Sequence, residues 1–584
     1  MTAVDPITLQ LVRAALDGIG EEMALTVVRT AYSTVVRDNM DFSTALCTAD
    51  GDLMAQGPTI PFHLGSVPAA LRSVVREYGH ELAPGDIYIL NDPYDGGMHL
   101  PDIFMFTPVF TGDTLLGFSA CVAHHTDVGG RVAGSNASDS TEIYQEGIRI
   151  PALRLARRHV MDETFLKLVL TNVRVPDKVM GDLRAQMSAC HTGERGLLDL
   201  VDKYGKKAFL ACAAELLAYS ERMCRASIAR FPDGRFEFSD FIDDDGLDDR
   251  PIRLQVAIEK TGDRLRFDFT GTSPQVRGAI NAPIAFTKAT VYGVVRCLID
   301  PATPNNGGMF RPIEVYVPPA TVLSAEHPAA VAARGLTGFR LYDTLFGAFA
   351  RMLPDAVFAA GEGGNTGVSI GGHSATRGAY VFVEFFPNCW GARPASDGVD
   401  GITIPLGNLA NTPVEAIEAE YPLRVEEYAF VPDSGGAGTF RGGLAASRSW
   451  RLLDERAVLN VRSDRHAHRP YGLYGGKSGQ PSQNILNPGS PHAEPLPSKL
   501  TREIREGDLL WHSTAGAGGW GDPWQRDPEK VVEDVLDGKV SAAGARAYGV
   551  VIDGLGALDE AATAALRARL AAGPAAGGTS GAGA

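Results

Sequence analysis

The chain has 584 residues, of which 45% are hydrophobic, and its 54 Lys and Arg against 70 Asp and Glu give a formal net charge of -16. This length suffices for several domains with a sizeable core, and the acidic balance argues against nucleic acid or an anionic membrane surface as a partner. The sequence contains no run of eighteen or more apolar residues, so no membrane-spanning helix is predicted. The first residues carry no secretory pattern, and scattered cysteines without a CxxC pair indicate a reducing, cytoplasmic location.

The N-terminal part is predicted to be a helix followed by strands. Asp5 and Pro6 are typical of a helix start, and apolar residues at helical spacing extend the helix to about residue 35. The pattern then predicts a strand over 41–48, a turn, and a second short strand that ends at residue 55. Further strands are predicted over 86–91 and 115–124, and a helix over 67–79. A Gly/Pro/Asp-rich loop, NDPYDGGMHLPD, lies between the last two strands.

The rest of the chain changes character several times. Helical faces dominate 160–230, strand patterns and one helix over 284–298 follow, 355–500 is Gly-rich and β-like, and short helices are predicted over 527–550 and 556–572. We therefore predict an α+β, multi-domain fold of mixed α/β type. Its predicted parts are an N-terminal α/β region with a metal loop (1–160), a helical segment (161–232), an α/β region (233–350), a Gly-rich β-rich region (351–526), C-terminal helices (527–572) and a disordered tail (573–584).

One constellation of residues points to chemistry. His99 and Asp102 lie three residues apart in the constrained loop, and His124 ends an apolar strand. Two imidazoles and one carboxylate suit an open-faced site for a divalent metal, which Lewis-acid chemistry requires. The alternative is that these are ordinary polar residues of loops and strand ends. Asp41, at the mouth of a predicted strand, is either a fourth ligand or a capping residue.

Further motifs recur in order along the chain. They are Asn91-Asp92-Pro93-Tyr94 with Gly96-Gly97-x-His99-x-x-Asp102, Gly181-Asp182-Leu183-x-Ala185-Gln186, Pro304-x-Asn306-x-Gly308, Asn411-Thr412-Pro413-x-Glu415, Gly435-Gly436-Ala437-Gly438 and Gly521-Asp522-Pro523. Together they resemble the signature of the hydantoinase B/oxoprolinase family. The resemblance extends over residues 4–552, nearly the whole chain.

The resemblance implies a B-type subunit of an ATP-dependent cyclic amide hydrolase acting on a hydantoin, 5-oxoproline or a lactam. In this family an A-type partner binds ATP and Mg and phosphorylates the substrate, and the B-type subunit performs the next step at a divalent metal. The family's metal ligands map onto His99, Asp102 and His124, with Asp41 as an additional carboxylate. Zinc, manganese and iron all suit such ligands. The implied assembly is a heterotetramer of two A-type and two B-type chains.

Two other functions stay open. Similar subunits occur in acetone and acetophenone carboxylases, so a subunit of an ATP-dependent ketone carboxylase is the alternative to hydrolysis. A non-catalytic scaffold for the A-type subunit is a third reading. In the enzymatic readings, His125, Asp92 and Asp95 are close enough in sequence to the metal loop to act as base or orienting group, and we predict them as catalytic residues.

Overall fold

The computed structural model describes residues 4–364, 366–386 and 388–571; the predicted disordered tail, 573–584, lies outside the described residues. The helices are α1 Pro6–Thr30, α2 Thr34–Arg37, α3 Pro61–Leu64, α4 Val67–Tyr78, α5 Glu163–Thr171, α6 Pro176–Tyr204, α7 Lys206–Ile228, α8 Ile284–Leu298, α9 Arg334–Met352, α10 Val414–Glu420, α11 Pro528–Leu536 and α12 Glu560–Ala571. The strands are β1 Phe42–Thr48, β2 Leu53–Gln56, β3 Ile87–Leu90, β4 Asp102–Thr111, β5 Thr114–His124, β6 Leu153–Arg157, β7 Val160–Met161, β8 Gly234–Ile242, β9 Ile252–Thr261, β10 Arg264–Asp268, β11 Ile313–Tyr316, β12 Gly367–Ser374, β13 Gly378–Phe385, β14 Leu423–Phe430, β15 Ala446–Leu452, β16 Arg456–Arg462, β17 Gln483–Leu486, β18 Glu494–Leu496, β19 Lys499–Arg505 and β20 Leu509–Ser513.

These strands form several separate sheets, which confirms the predicted α+β, multi-domain fold class. The N-terminal sheet has the order β2-β1-β5-β4-β3-β6-β7, and its pairs are antiparallel. Three further sheets have the orders β11-β10-β9-β8, β13-β12-β16-β19 and β14-β15-β20-β17-β18. The division of the chain into six parts stays a prediction.

Helix α1 starts where the sequence predicts and ends earlier. The Asp5 carboxylate accepts a hydrogen bond from the Thr8 amide at 2.9 Å, which caps the helix. The helix stops at Thr30 rather than near residue 35. There the backbone becomes extended, and the amides of Tyr32 and Ser33 donate to Asp182 of α6 at 2.8 and 3.1 Å. A contact with a residue 150 positions away therefore ends the helix, and no local pattern could predict it.

Two glycines of α1 provide a test of its packing. A Cβ on Gly20 would lie 2.9 Å from the Gln56 carbonyl carbon and 2.9 Å from the Gly57 nitrogen, whereas a Cβ on Gly18 would meet no atom within 4 Å. We expect Gly20→Ala to lower the free energy of unfolding by about 1–3 kcal/mol through overpacking against backbone. Gly18→Ala should raise it by up to about 1 kcal/mol, because alanine favours helix. Chemical denaturation of both variants measures the two signs; a stabilising Gly20→Ala would contradict the close approach.

Two elements near the site are absent from the sequence prediction. Strand β4 follows the Gly/Pro/Asp-rich loop directly, and its first eight residues are buried, so it lacks the polar/apolar alternation of a half-exposed strand. Helix α9 is buried on all sides except at Arg351, so it shows no polar face at helical spacing. Both elements carry side chains that form the site described below.

The C-terminal prediction needs a correction. The helix predicted over 527–550 is wrong beyond Leu536, where α11 ends. Gly538 follows with a positive φ of 71°, which turns the chain away, and only a short 3-10 turn, Gly544–Tyr548, comes before α12. The second predicted helix is shorter than expected at its start, because Gly556, with φ 84°, lies in a turn before Glu560.

Candidate metal centre

Strand register brings three predicted ligands together. β4 and β5 pair antiparallel, and Asp102, the first residue of β4, lies opposite His124, the last residue of β5. His99 stands in the loop that enters β4, and its Nε2 lies 2.9 Å from Asp102 Oδ1. His124 Nδ1 lies 3.0 Å from the same oxygen and 3.1 Å from His99 Nε2. Three ligand atoms of buried side chains thus converge on one point.

The donor set fits a divalent cation. Metal–ligand bonds of about 2.0–2.2 Å place neighbouring ligand atoms roughly 2.8–3.6 Å apart, and the three distances of 2.9, 3.0 and 3.1 Å lie within this range. His99 Nδ1 lies 2.9 Å from the Ala332 carbonyl oxygen, which only accepts, so Nδ1 carries the proton of the neutral ring. His99 Nε2 is then an acceptor facing the Asp102 carboxylate, another acceptor. A cation bound between them would turn this unfavourable contact into coordination.

The segment that leads into α9 orients these ligands. The Arg334 guanidinium forms an ion pair with Asp102 Oδ2, and Glu146 accepts hydrogen bonds from the amides of Val331 and Ala332 at 2.7 and 2.9 Å. These bonds hold the Ala332 carbonyl against His99. Burial of the ring, then the Arg334 charge, lower the pKa of His99 to about 3. The site is therefore held with a neutral imidazole at neutral pH.

A small cavity of about 50 Å³ adjoins two of the three candidate ligands, His99 and His124, and has room for a few water-sized groups. Its lining mixes charged side chains with aromatic and apolar ones. The lining residues are Asp41, Ile60, Phe62, His63, His99, His124, Phe286, Arg334, Gly335, Phe339, Phe385, Gly407, Leu409 and Arg462. Several of these come from sequence positions far from the metal loop, so the cavity exists only in the folded chain.

Asp41 and His63 form a buried pair on the cavity wall. His63 Nε2 lies 3.5 Å from Asp41 Oδ1, and Asp41 Oδ2 lies 3.9 Å from His124 Nδ1. Burial raises the pKa of Asp41 and lowers the pKa of His63. Asp41 stands beside the three converging atoms rather than among them, and its role as an additional ligand stays a prediction. His63 is a residue that the sequence analysis missed.

Arg462 is the second cation of the cavity, after Arg334. Its side chain is 2% exposed, and its guanidinium lies over the Phe385 ring, 4.9 Å from the centroid. Burial, then the charge of Arg334, lower the pKa of Arg462 to about 9, so the side chain is charged at neutral pH. Neither arginine lies in a sequence motif with the candidate ligands, so neither was predicted from the sequence.

The three predicted catalytic residues lie outside the cavity lining. Consecutive residues at the end of β5 point to opposite faces of the sheet, so His125 faces away from His124 and from the cavity. Its Nε2 lies 2.9 Å from Gln186 Oε1 on α6. Asp92 accepts from the Tyr94 amide at 3.0 Å and caps a turn. Asp95 accepts from the Ser73 hydroxyl at 2.8 Å and pairs with Arg76. Their catalytic roles stay predictions, and their positions do not favour them.

Comparisons with known proteins place the whole chain in one family. The model of the hydantoinase B/oxoprolinase family matches residues 5–523. The caprolactamase subunit beta of Pseudomonas jessenii is 33% identical, over 97% of this chain and 100% of that one. The crystal structure of the ATP-dependent caprolactamase from Pseudomonas jessenii superposes with a TM-score of 0.91 at 32% identity, covering 97% of this chain and 100% of that chain.

A second solved structure shares the fold alone. The nucleotide-free structure of acetone carboxylase superposes with a TM-score of 0.89 at 20% identity, covering 97% of this chain and 83% of that chain. Within the described residues, no helix combines the length and the apolar composition that crossing a membrane needs.

Proposed function

Because the chain belongs to the hydantoinase B/oxoprolinase family, as a B-type subunit, we propose that it performs the hydrolytic step of an ATP-dependent cyclic amide hydrolase. In this proposal an A-type partner binds ATP and Mg and phosphorylates the substrate. The observation that carries the proposal is the buried convergence of His99, Asp102 and His124 beside a cavity. Among the cyclic amides that the family resemblance implies (a hydantoin, 5-oxoproline or a lactam), the 33% identity to a caprolactamase subunit favours a lactam.

His99, Asp102 and His124 would hold the divalent cation, and zinc, manganese and iron suit two imidazoles and one carboxylate. When bound, such a cation supplies Lewis-acid activation of water at neutral pH. Arg334 keeps the Asp102 carboxylate oriented, and the Ala332 carbonyl keeps the proton of His99 on Nδ1. The ring nitrogen that faces the site therefore stays free to coordinate.

The Asp41–His63 pair is placed to handle protons. An unstrained amide resists water because resonance stabilises it, and phosphorylation of its oxygen makes the carbon open to attack. A water molecule that adds to this carbon must lose a proton. Cleavage of the ring C–N bond, with the nitrogen taking up a proton, then gives a ring-opened acyl phosphate, and a second water molecule releases inorganic phosphate from it. Asp41 and His63 both line the cavity, with 3.5 Å between carboxylate and ring nitrogen. We assign them the role of general base, in preference to His125, which contacts Gln186.

Reconstitution with the A-type partner tests this function. We expect ATP hydrolysis and ring opening only when both chains are present, in a screen of hydantoins, 5-oxoproline, lactams and aryl ketones. Robust ATP turnover by this chain alone would contradict the division of labour. Activity that requires bicarbonate and forms a C–C bond would favour the ketone carboxylase alternative, which the shared fold with acetone carboxylase keeps open.

The assembly is part of the same proposal. An activated phosphate intermediate hydrolyses in bulk water, so direct transfer between the two subunits through an enclosed route is favoured. We propose a heterotetramer of two A-type and two B-type chains with a total buried interface on the order of 2,000 Å² or more. Size-exclusion chromatography with light scattering on the co-expressed chains measures it. A cytoplasmic location stays a prediction, consistent with the free cysteines of the described chain.

A further inference from the structure

Arg462 differs from the other buried arginines of the described chain. It forms no ion pair and no hydrogen bond through its side chain with any described residue, and its Nη1 is buried without a partner. The other arginines buried to a similar degree each pair with a carboxylate. They are Arg334, Arg340, Arg441, Arg448, Arg465 and Arg526. A buried guanidinium whose N–H groups lack a direct partner is strongly unfavourable, so its retention calls for a ligand that accepts those N–H groups.

The sheet is shaped to hold this guanidinium in place. Arg462 on β16 pairs with Gly367 on β12, and Gly367 pairs with Phe385 on β13. A Cβ on Gly367 would lie 2.3 Å from Arg462 Nε, so the glycine leaves the space that the side chain crosses to reach the Phe385 ring. The Phe385 ring in turn packs edge-on against His124, with 5.2 Å between centroids. Three strands thus direct one unpaired cation toward the proposed metal ligands.

The charges around the cavity identify the class of ligand. The carboxylates of Asp41 and Asp102 balance the guanidinium groups of Arg334 and Arg462 in number. The divalent cation of the proposed function then leaves a surplus of about two positive charges. A phosphate monoester carries about −1.5 to −2 at neutral pH, and arginine binds its oxygens through paired N–H donors. The cavity of about 50 Å³ is of a size to admit a small polar group such as a phosphoryl group.

We propose that Arg462 forms a binding site for the phosphoryl group of the substrate, which holds the phosphorylated intermediate beside His99, Asp102 and His124. This inference rests on the proposed function and adds to it the residue that recognises the activated group. Arg334, already paired with Asp102, orients the metal ligand, whereas Arg462 contacts the substrate.

Binding of inorganic phosphate to the metal-loaded chain, measured by calorimetry, tests the proposal without the partner. We expect saturable binding by the wild type and an affinity lower by about tenfold or more in Arg462→Gln, at equal metal content. Arg456→Gln is the matched control, because Arg456 lies exposed on the same strand β16; its affinity should equal that of the wild type. Equal affinity in Arg462→Gln and wild type, no phosphate binding by the wild type, or a preference for acetate over phosphate would overturn the proposal.

Thermal stability gives an independent readout. Arg462→Met removes a buried guanidinium that no described residue pairs with directly, so its melting temperature without phosphate should be higher than that of the wild type. Phosphate should raise the melting temperature of the wild type and leave that of Arg462→Met unchanged. Arg462→Lys keeps the charge and should retain part of the phosphate-induced rise in melting temperature. This variant also tests the proposal if Arg462→Met fails to fold. An equal phosphate-induced shift in all three proteins would overturn the proposal.

The proposed hydrolytic function and the proposed phosphoryl-binding site can be contradicted independently of each other. If the partner assay shows no ring opening, Arg462-dependent phosphate binding by the isolated chain still stands. If Arg462→Gln keeps full ring-opening activity and full phosphate affinity, the phosphoryl site is wrong while the hydrolytic function stands.

Discussion

His99→Ala and His124→Ala are each expected to lose most of the bound metal and nearly all ring-opening activity. Each change removes one of three ligand atoms that lie about 3 Å apart. Loss of a residue that merely supports a ligand costs about 10- to 100-fold in metal affinity, so loss of a ligand should exceed that range. Metal content measured by mass spectrometry after dialysis, together with the activity of the reconstituted complex, checks the expectation.

Two histidine variants serve as controls. His191 on α6 is exposed, near Glu194, and His191→Ala should leave metal content and activity unchanged. His125→Ala should retain its metal, because the His125 ring contacts Gln186 rather than the cavity. Full metal occupancy in both the His99 and His124 variants would show that the metal is bound elsewhere.

Arg448→Met is expected to cost about 3–5 kcal/mol of stability. Arg448 and Glu384 are fully buried, and Arg448 Nη1 lies 2.8 Å from Glu384 Oε1. Removal of the guanidinium leaves an uncompensated carboxylate in the interior, which is far more costly than loss of the pair as a whole. Urea denaturation monitored by tryptophan fluorescence measures the loss.

An exposed pair on the same strand provides the comparison. Arg451 on β15 pairs with Glu426 through two contacts, and both side chains are partly exposed. Arg451→Met should cost no more than about 1 kcal/mol, because solvent screens the interaction. Similar losses in the two variants would mean that burial does not set the strength of the Arg448–Glu384 pair.

Local patterns predicted the elements whose signals are local. The start of α1 at Asp5-Pro6 follows from its capping residues, and the full span of α8, 284–298, follows from helical spacing. Helix α9 was not predicted, because a helix buried on almost every side lacks a polar face. The end of α1 was not predicted correctly, because Asp182, in a different helix, determines it.

The candidate site divides in the same way. His99, Asp102 and His124 stand within one strand pair and its entering loop, so their spacing and the family resemblance were enough to single them out. His63 and Arg462 reach the cavity from α3 and β16, and only the tertiary structure brings them to it. His125, adjacent to a predicted ligand in sequence, faces the other way because a strand alternates its side chains.

The burial of α9 has a consequence for dissection of this protein. A fragment that ended before residue 330 would contain all three ligand side chains, yet it would lack the Ala332 carbonyl that sets the His99 tautomer and the Arg334 guanidinium on Asp102. Such a fragment would also expose the apolar surfaces that α9 covers. The ligand-bearing sheet alone is therefore not sufficient to form this centre. Grafting the ligand motif onto another scaffold would transfer the donor atoms without their preorganisation.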